Sequence, residues 1–306
     1  MAGLKELRTR IEAIKSTKKI TSAMKMVAAA GLRRAQGLIA KSEVYNGSLK
    51  TSALRVAYDL KEEEKSKGVV YTYPELMTGK GGDSAYLLIV ISSDKGLCGS
   101  YNAYVAKTAI NRINELESAG KEVKVVCIGK KANDIIKRRY ADRILNVIDG
   151  VARKGADFDE ATTLTQRFLE GFEKGEFDVA EIVSSKFRSA ISREIASRRF
   201  LPVELPEDIT TAEGTPIDRV NNAYYDYEPD KLEMLDALLL MLAKAQMFDA
   251  IVQAQASEQG ARMASMDNAT RNASDMISKL TLRYNGIRQS AITTELTEII
   301  SGAEAI

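Results

Sequence analysis

The residues best placed for chemistry lie in one glycine-containing stretch, Ser92-Ser-Asp-Lys-Gly-Leu-Cys-Gly-Ser-Tyr-Asn102. It follows a predicted strand and precedes a predicted helix, which is where doubly wound folds place phosphate-binding loops. The stretch lacks G-x-G-x-x-G, and no G-x-x-x-x-G-K-[ST] occurs anywhere in the chain. We therefore interpret it as a structural turn that uses Gly96 and Gly99, with a nucleotide site as the alternative.

Cys98, in the same stretch, is a candidate nucleophile. The chain contains no histidine, and histidine is the usual base that activates a catalytic thiol. Cys98 and Cys127 also form no metal-binding or redox spacing. We therefore predict two plain thiols, no catalytic residue, no metal site and no cofactor.

A second notable group is basic and lies in the first 41 residues. It comprises Lys5, Arg8, Arg10, Lys15, Lys18, Lys19, Lys25, Arg33, Arg34 and Lys41, against only Glu6 and Glu12. Aromatic residues are absent before Tyr45, so these charges have no platform on which bases could stack. Nucleic acid is therefore disfavoured as a partner, and a solvated helix face and an acidic protein surface remain the open interpretations.

The placement of proline predicts where long helices form. All five prolines lie between positions 74 and 229, so only the two ends of the chain permit long uninterrupted helices. Both ends carry apolar residues at the alternating three- and four-residue steps of a coiled coil. The first stripe comprises Leu4, Leu7, Ile11 and Ile14 and continues after a shift through Met24, Val27, Gly31 and Leu38; the second comprises Leu235, Leu239, Leu242 and Ala245, then Ala273, Ile277, Leu280, Tyr284, Ile287 and Ala291.

A helix from Leu232 to about Ser301 would be about 100 Å long at 1.5 Å per residue. A helix of this length must extend outside a compact core. We therefore expect its apolar stripe to pack against the other terminal helix, in antiparallel orientation. Between Ala256 and Asp275 its only large apolar residues are Met263 and Met266. Two interpretations of this segment stay open: a thin alanine-packed seam, or a slim shaft that turns inside a close-fitting sleeve.

The middle of the chain alternates short β-rich runs with helical segments. The runs are 85–92, 123–129 and 179–185, and the helices lie near 102–119, 131–140 and 159–175. This alternation predicts a largely parallel sheet covered by helices, with later or edge strands at Leu201-Pro-Val203 and Ala223–Pro229. The predicted fold is a long antiparallel coiled coil (1–73 and 230–306) with an inserted Rossmann-like α/β domain (74–229).

Three ordered motifs resemble the gamma-subunit family of F-type ATP synthases. The most specific is Arg288-Gln-Ser-Ala-Ile-Thr-Thr-Glu-Leu-Thr-Glu-Ile-Ile-Ser-Gly-Ala303, which matches the family's I-T-x-E-x-x-E-x-x-x-G-A signature. The second is Lys19-Ile-Thr-Ser-Ala-Met-Lys-Met-Val-Ala-Ala29. The third is Ser93–Asn102, similar to the family's SDRGLCG-type loop, with Ser100-Tyr101 as a small departure. The resemblance covers nearly the whole chain.

The resemblance implies a rotor subunit that carries torque and has no catalytic site of its own. The expected partners are the alpha and beta subunits of a catalytic hexamer, the epsilon subunit and the c-ring, with membrane association only through these partners. It also implies a location at the cytoplasmic face of a bacterial inner membrane, or on the matrix side in a mitochondrion.

Family positions also imply contacts with the hexamer. Arg262 and Gln289 match positions that hydrogen-bond a catch loop on beta. The other expected contact residues are Lys18, Met24 and Lys25 on the first helix, Thr293 and Glu295 on the last, and, more loosely, Arg33 and Arg34 toward acidic segments of beta.

The stretch from Asp59 to Gly82 is longer than in shorter relatives, and we interpret it as a surface-loop extension, with a lineage-specific regulatory role as the alternative. Two rival functions remain. A stand-alone coiled-coil scaffold would form a stable homodimer, whereas a Rossmann-like enzyme that uses 92–102 would bind nucleotide tightly.

Overall fold

The structure is a computed structural model that describes residues 2–151, 155–189, 192–205 and 227–304. The elements are α1 (Ala2–Lys67), α2 (Glu75–Thr78), β1 (Ala85–Ile91), α3 (Tyr101–Ser118), β2 (Glu122–Ile128), α4 (Lys130–Tyr140), a 3-10 turn (Ala141–Arg143), β3 (Ile144–Ile148), α5 (Phe158–Glu173), β4 (Val179–Phe187), β5 (Arg193–Leu201) and α6 (Lys231–Glu304). Contacts group the chain into two units, Met1–Ala30 with Arg262–Ile306, and Gly31–Ala261. The three-domain division at 73/74 and 229/230 stays a prediction.

The unit Gly31–Ala261 contains a five-stranded sheet in the order β3-β2-β1-β4-β5. β1 is parallel to both β2 and β4, β2 is parallel to β3, and β5 alone is antiparallel, against β4. The helices between the parallel strands supply the crossovers that such pairing requires. The predicted helix-covered parallel sheet is therefore confirmed.

Alternate residues of β1 lie in two separate cores, as the two-residue period of a strand requires. Leu87, Ile89 and Ile91 pack on one face with α5 and with the segments of α1 and α6 that belong to this unit. Tyr86, Leu88 and Val90 pack on the other face with α3 and α4. A strand buried on both faces must be apolar throughout, which is why β1 was recognisable in the sequence.

The two edge strands were not predicted correctly. β3 was not predicted at all, since its residues are exposed or half-buried and lack a long apolar run. The strand predicted at Leu201–Val203 is wrong, because the fifth strand is β5 and it ends at Leu201. For the strand predicted at Ala223–Pro229, residues 223–226 lie outside the described residues, and 227–229 are irregular.

In the unit formed by 1–30 and 262–306, α1 and α6 pair in antiparallel orientation. Thr270 Oγ1 donates a hydrogen bond to Thr21 Oγ1 at 2.8 Å, and Lys25 Nζ lies 2.5 Å from Asp267 Oδ1. Buried or half-buried positions on α1 form an uninterrupted series in steps of three and four: Leu4, Leu7, Ile11, Ile14, Lys18, Thr21, Lys25 and Ala28. Ser22, Met24 and Ala29, beside this series, are also half-buried. Of the predicted continuation, Val27 is wrong, because 70% of it is exposed, whereas Met24, Gly31 and Leu38 are half-buried.

In the unit Gly31–Ala261, α1 and α6 are also antiparallel neighbours. Ser42 Oγ donates a hydrogen bond to Asp249 Oδ1 at 3.4 Å, and a Cβ added to Gly31 would lie 3.1 Å from the side chain of Gln259. The α1 residues buried here are Leu32, Ala35, Ser42, Leu49, Ala53, Leu54, Val56, Ala57 and Leu60. This part of the seam is mainly apolar and merges with the core under the sheet.

The stretch 59–82 is only in part the surface loop that the sequence suggested, since only 68–74 and 79–82 are irregular. Its first nine residues continue α1 to Lys67. After the helix, the Tyr71 backbone N–H and the Tyr73 hydroxyl donate hydrogen bonds back to the Glu64 carboxylate, each at 3.0 Å. Lys231 and Lys67 bond the Glu63 carboxylate, and these contacts lower its pKa to about 2. The extension is therefore fastened to the ends of both long helices.

Asp249 gives a pH-dependent prediction for this unit. Burial, then the nearby Glu43, raises the pKa of its carboxyl, against the opposing effects of Gln253, Ser42 and Lys186. Because the pKa is raised above 3.8, ionised Asp249 destabilises the fold above that raised value and has no such effect below the ordinary one. We expect Asp249→Asn, which keeps the hydrogen-bond acceptor, to raise the free energy of unfolding by roughly 0.5–1 kcal/mol near neutral pH.

The measurement is urea unfolding across a pH series, with the exposed Asp236→Asn on α6 as the matched control. The gain should shrink as the pH falls toward 3.8. An equal gain at acidic and neutral pH would show that ionisation of Asp249 is not its cause.

Candidate functional site

Seven of the nine predicted contact residues lie in the unit formed by 1–30 and 262–306. They are Lys18, Met24, Lys25, Arg262, Gln289, Thr293 and Glu295. Arg33 and Arg34 lie on α1 in the other unit, where both are exposed, and neither forms an ion pair with a described residue. The sequence motifs at the two ends of the chain thus fold into one paired-helix segment.

Lys25 is engaged inside this segment. Its ammonium group lies 2.5 Å from Asp267 Oδ1, while Arg271 lies 2.6 Å from the other carboxylate oxygen. The hydrogen bond from Lys25, reinforced by Arg271, lowers the pKa of Asp267. Lys25 therefore joins α1 to α6, and it is still half-exposed, with 44% of its side chain open to solvent.

Met24 is half-buried and lies on α1 between two exposed apolar residues, Ile20 and Val27. Ile20, Met24 and Val27 repeat at steps of four and three and so share one face. Ile20 is 60% exposed and Val27 70% exposed, and the neighbouring Met26 is 64% exposed. The sequence analysis assigned Met24 and Val27 to the inward seam, whereas the structure leaves Val27 exposed and Met24 half-buried.

The end of α6 carries another uncovered apolar stripe. Ile292, Leu296 and Ile299 repeat at steps of four and three, and each is more than half exposed. The Thr21–Thr270 register, extended residue by residue, places Ala2 opposite about residue 289, so the rest of α6 has no α1 residue beside it. Clustered exposed apolar side chains of this kind mark binding surfaces.

The polar contact residues at this end of α6 are also open to solvent. Gln289, Thr293 and Glu295 are exposed. The Thr293 hydroxyl donates a hydrogen bond to the Gln289 carbonyl oxygen at 2.9 Å, so it is engaged by its own helix. Arg262 is partly buried at the first α6 position of this unit. The amide and carboxylate of Gln289 and Glu295 are thus available to a partner.

The stripes formed by Ile20 with Val27 and by Ile292, Leu296 and Ile299 were missed as candidate contacts. Their spacing was visible in the sequence, since both follow the steps of three and four residues. A coiled-coil seam has the same spacing, so periodicity alone does not distinguish a face that meets a helix of the same chain from a face left uncovered.

The glycine-containing loop after β1 is held by internal hydrogen bonds. Asn102 Nδ2 donates to Ser93 Oγ at 2.8 Å and to Cys98 Sγ at 3.1 Å, and Cys98 is 1% exposed. The Asp94 carboxylate accepts from the backbone N–H groups of Lys130 and Gly150. These bonds join the ends of β1, β2 and β3. The loop therefore works as a structural junction.

The second cysteine lies in the core of the sheet. Burial alone raises the pKa of Cys127 to about 12, which keeps it a neutral thiol at physiological pH.

Two features are absent from residues 2–151, 155–189, 192–205 and 227–304. Among them, no helix combines the length and the apolarity that crossing a bilayer requires. Nor do any histidine, cysteine, aspartate and glutamate side chains in these segments group into a set that could hold a metal ion.

Comparison with known proteins finds a family described as ATP synthase, whose model matches residues 3–306. Among curated relatives, ATP synthase gamma chains from Erythrobacter litoralis and Rhodospirillum rubrum are 44% and 42% identical to this chain. A gamma chain from Methylobacterium sp. (strain 4-46) is also 42% identical. Each comparison covers the whole of both chains.

Solved structures share the fold. A chain of the Euglena gracilis mitochondrial ATP synthase, from a structure of OSCP, F1 and the c-ring, gives a TM-score of 0.62 at 19% identity, covering 99% of this chain and 94% of that one. A chain of the Tetrahymena thermophila mitochondrial ATP synthase, from a structure of the central stalk and c-ring, gives 0.56 at 22% identity, covering 82% and 99%.

The Lys25–Asp267 pair gives a salt-dependent prediction. We expect Asp267→Asn to lower the melting temperature of the isolated chain by about 1–2 °C at low salt, because it removes an attraction between half-exposed charges. The difference should disappear as salt rises from about 0.01 M to about 1 M, where the screening length falls from about 30 Å to about 3 Å. The contribution should also be lost as the pH falls through the lowered pKa of Asp267.

Differential scanning calorimetry provides the measurement, and Asp275→Asn, exposed on the same helix, is the matched control. If the difference persisted in high salt, charge attraction would not be its source.

Proposed function

The chain belongs to the ATP synthase gamma-chain family, and on this premise we propose that it is the central-stalk rotor subunit of a rotary ATP synthase. The observation that carries the proposal is identity of 42–44% to curated gamma chains over the full length of both partners. A gamma chain is a subunit of the complex and is not itself catalytic. It transmits torque between the proton-driven c-ring and the catalytic alpha/beta hexamer, where ATP is made or hydrolysed.

The proposed partners follow from the same assembly. The fold relatives come from complexes described as containing F1, the c-ring and the central stalk. For this chain we assign the alpha and beta subunits and the c-ring as partners, together with the epsilon subunit. No cofactor is required for this role, because the subunit does mechanical work and forms no covalent intermediate.

The segment 1–30 with 262–306 is suited to turn inside the hexamer. Its uncovered apolar stripes, on Ile20 to Val27 and on Ile292 to Ile299, offer contact without a matching helix in this chain. Apolar contact is non-directional, so it can be exchanged between successive subunits as the shaft turns. Directional hydrogen bonds, by contrast, hold particular angles.

We assign contacts with the hexamer to the nine residues named from the family positions, eight of which, all but Met24, carry polar groups that can form directional bonds. Arg262 and Gln289 would bond the catch loop of beta, and a bond with a net value of about 1–3 kcal/mol can hold an angle and still break at each step. Lys18, Met24, Lys25, Thr293 and Glu295 would contact beta from the same segment. Arg33 and Arg34, exposed and outside any described ion pair, would meet acidic segments of beta.

The chain is a peripheral subunit, and we propose that it works at the cytoplasmic face of a bacterial inner membrane. The bacterial gamma chains that it resembles at 42–44% identity support this location. The matrix side of a mitochondrial inner membrane is the alternative.

The assignment of Arg262 and Gln289 to the catch loop of beta predicts that their removal slows ATP hydrolysis. We expect Arg262→Ala and Gln289→Ala each to lower ATP hydrolysis by the reconstituted hexamer about fivefold, the equivalent of about 1 kcal/mol in the rate-limiting step. Asn285→Ala, an exposed amide on the same helix, is the matched control. The measurement is steady-state hydrolysis together with single-molecule rotation. If both variants rotated and hydrolysed ATP like the wild type, the assignment of Arg262 and Gln289 to the catch loop would be wrong. The proposed rotor function would be unaffected.

The apolar stripe at the end of α6 predicts an assembly defect without a folding defect. Because Leu296 and Ile299 are 57% and 71% exposed, Leu296→Asp with Ile299→Asp should leave the melting temperature of the isolated chain unchanged. The same double variant should bind the alpha/beta hexamer at least about tenfold more weakly, since it places charges in an apolar contact. Ser301→Asp, on another face of α6, is the control.

Size-exclusion chromatography and titration with the hexamer measure both properties. Normal assembly of the double variant would refute a role for this stripe. A stable homodimer of the wild-type chain that ignores the hexamer would instead favour the coiled-coil scaffold.

A further inference from the structure

In the unit Gly31–Ala261, a short part of α6 is buried around its whole circumference. Every residue from 251 to 257 is buried except Gln255, which is partly buried. A helix packed against one surface buries a single stripe and exposes the rest. Two full turns buried on all sides therefore mean that the rest of this unit encloses α6 here.

Three consecutive residues of this segment are bonded by three different parts of the α/β domain. The Phe187 N–H at the end of β4 donates to Gln253 Oε1 at 3.0 Å. The Tyr101 hydroxyl at the start of α3 donates to the carbonyl oxygen of residue 254 at 3.2 Å. The Ala156 N–H before α5 donates to Gln255 Oε1 at 3.3 Å.

The geometry of a helix spreads these bonds around its axis. Successive residues are about 100° apart, so the side chains of Gln253 and Gln255 point about 200° apart. Gln253 is 3% exposed, and its amide Nε2 also donates to Asp249 Oδ1, which accepts from Ser42 of α1. Bonds on nearly opposite sides of a helix resist its rotation in either direction.

The enclosing loops lie where related folds bind ligands. In an open parallel sheet, the crevice forms at the carboxyl ends of the strands, at the point where the strand order reverses. Here that point lies between β1 and β4. Of the residues that bond α6, Tyr101 begins α3, the helix that follows β1, and Phe187 ends β4. The chain's own helix therefore occupies this position.

We propose that Gln253, Gln255 and Tyr101 form a torque collar, a set of hydrogen bonds that fixes the α/β domain rotationally to α6. The proposal rests on the rotor function proposed above. Apolar packing alone resists separation but tolerates small slips between side chains. Hydrogen bonds fix the angle, because rotating the helix would leave the N–H groups of the half-buried Phe187 and Ala156 without their acceptors.

The collar residues are positioning residues for torque transfer, so their test must separate stiffness from stability. We would replace Gln253 and Gln255 together by Met, which keeps length and helix propensity while it removes both acceptors. The variant is reconstituted into the complete ATP synthase, with a bead attached through Lys107→Cys, an exposed site on α3. With the hexamer stalled by an inhibitor, the angular variance of the bead reports the torsional stiffness between the domain and the shaft.

We expect the angular variance to rise roughly twofold in the double variant, because two of the three collar bonds are lost. ATP hydrolysis by the soluble hexamer without load should stay within a factor of about 1.5, because no collar residue contacts a catalytic subunit in this proposal. ATP-driven proton pumping, which requires torque to reach the c-ring, should fall. Gln36→Met, an exposed glutamine on α1, is the matched control and should change none of these quantities.

Tyr101→Phe provides a second variant that deletes a single hydroxyl and retains the ring. If the double variant does not fold, the outcome rests on Tyr101→Phe, which should also raise the angular variance. If a folded collar variant showed unchanged angular variance, even with a lowered melting temperature, the torque-collar proposal would be wrong. The bonds would then contribute only to the stability of the fold. A wild-type chain that joins the hexamer but never rotates would instead overturn the proposed rotor function.

Discussion

The alternation of three- and four-residue steps along α1 and α6 is the constraint on which the other features depend. It turns one face of each helix toward the other, and the two units satisfy it with different chemistry. In Gly31–Ala261 the face is mainly apolar, with Leu32, Leu49 and Leu60 buried, and burial of each such side chain stabilises by about 1.5–3 kcal/mol. In 1–30 with 262–306 it includes the Thr21–Thr270 and Lys25–Asp267 pairs. Polar pairs contribute less energy but specify a single register.

A face committed to the partner helix leaves the remaining faces available. In the segment 1–30 with 262–306 these faces carry exposed apolar residues, such as Val27 at 70% and Leu296 at 57%. An isolated chain gains nothing from this exposure, whereas a subunit enclosed by others gains burial on assembly. The membership of the chain in the ATP synthase gamma-chain family supplies the reason for such a surface.

The α/β domain has the strand order of ligand-binding folds, but the edge of the sheet where those folds bind a ligand contacts α6. Its sheet has the order and the loop positions of a ligand-binding fold, yet Tyr101 at the start of α3 and Phe187 at the end of β4 bond α6. A fold shared with enzymes therefore indicates little about chemistry until the occupant of its crevice is known. In this protein, the edge of the sheet where related folds bind a ligand is bonded to α6.

Elements whose signal is local could be predicted from the amino-acid sequence. Proline placement and heptad spacing gave both long helices, and the apolar runs at 85–92, 123–129 and 179–185 gave the central strands, because burial on both faces requires apolar residues throughout. It did not give β3 or β5, since edge strands carry exposed and charged residues that resemble loops. Nor could it tell that Thr21 and Lys25 lie in the seam while Val27 is exposed, because Val27 is apolar and the other two are polar. The inward face of α1 is set by the contacts of Thr21 with Thr270 and of Lys25 with Asp267. These partners are about 240 to 250 residues apart in the chain, so the pairing is visible only in the folded structure.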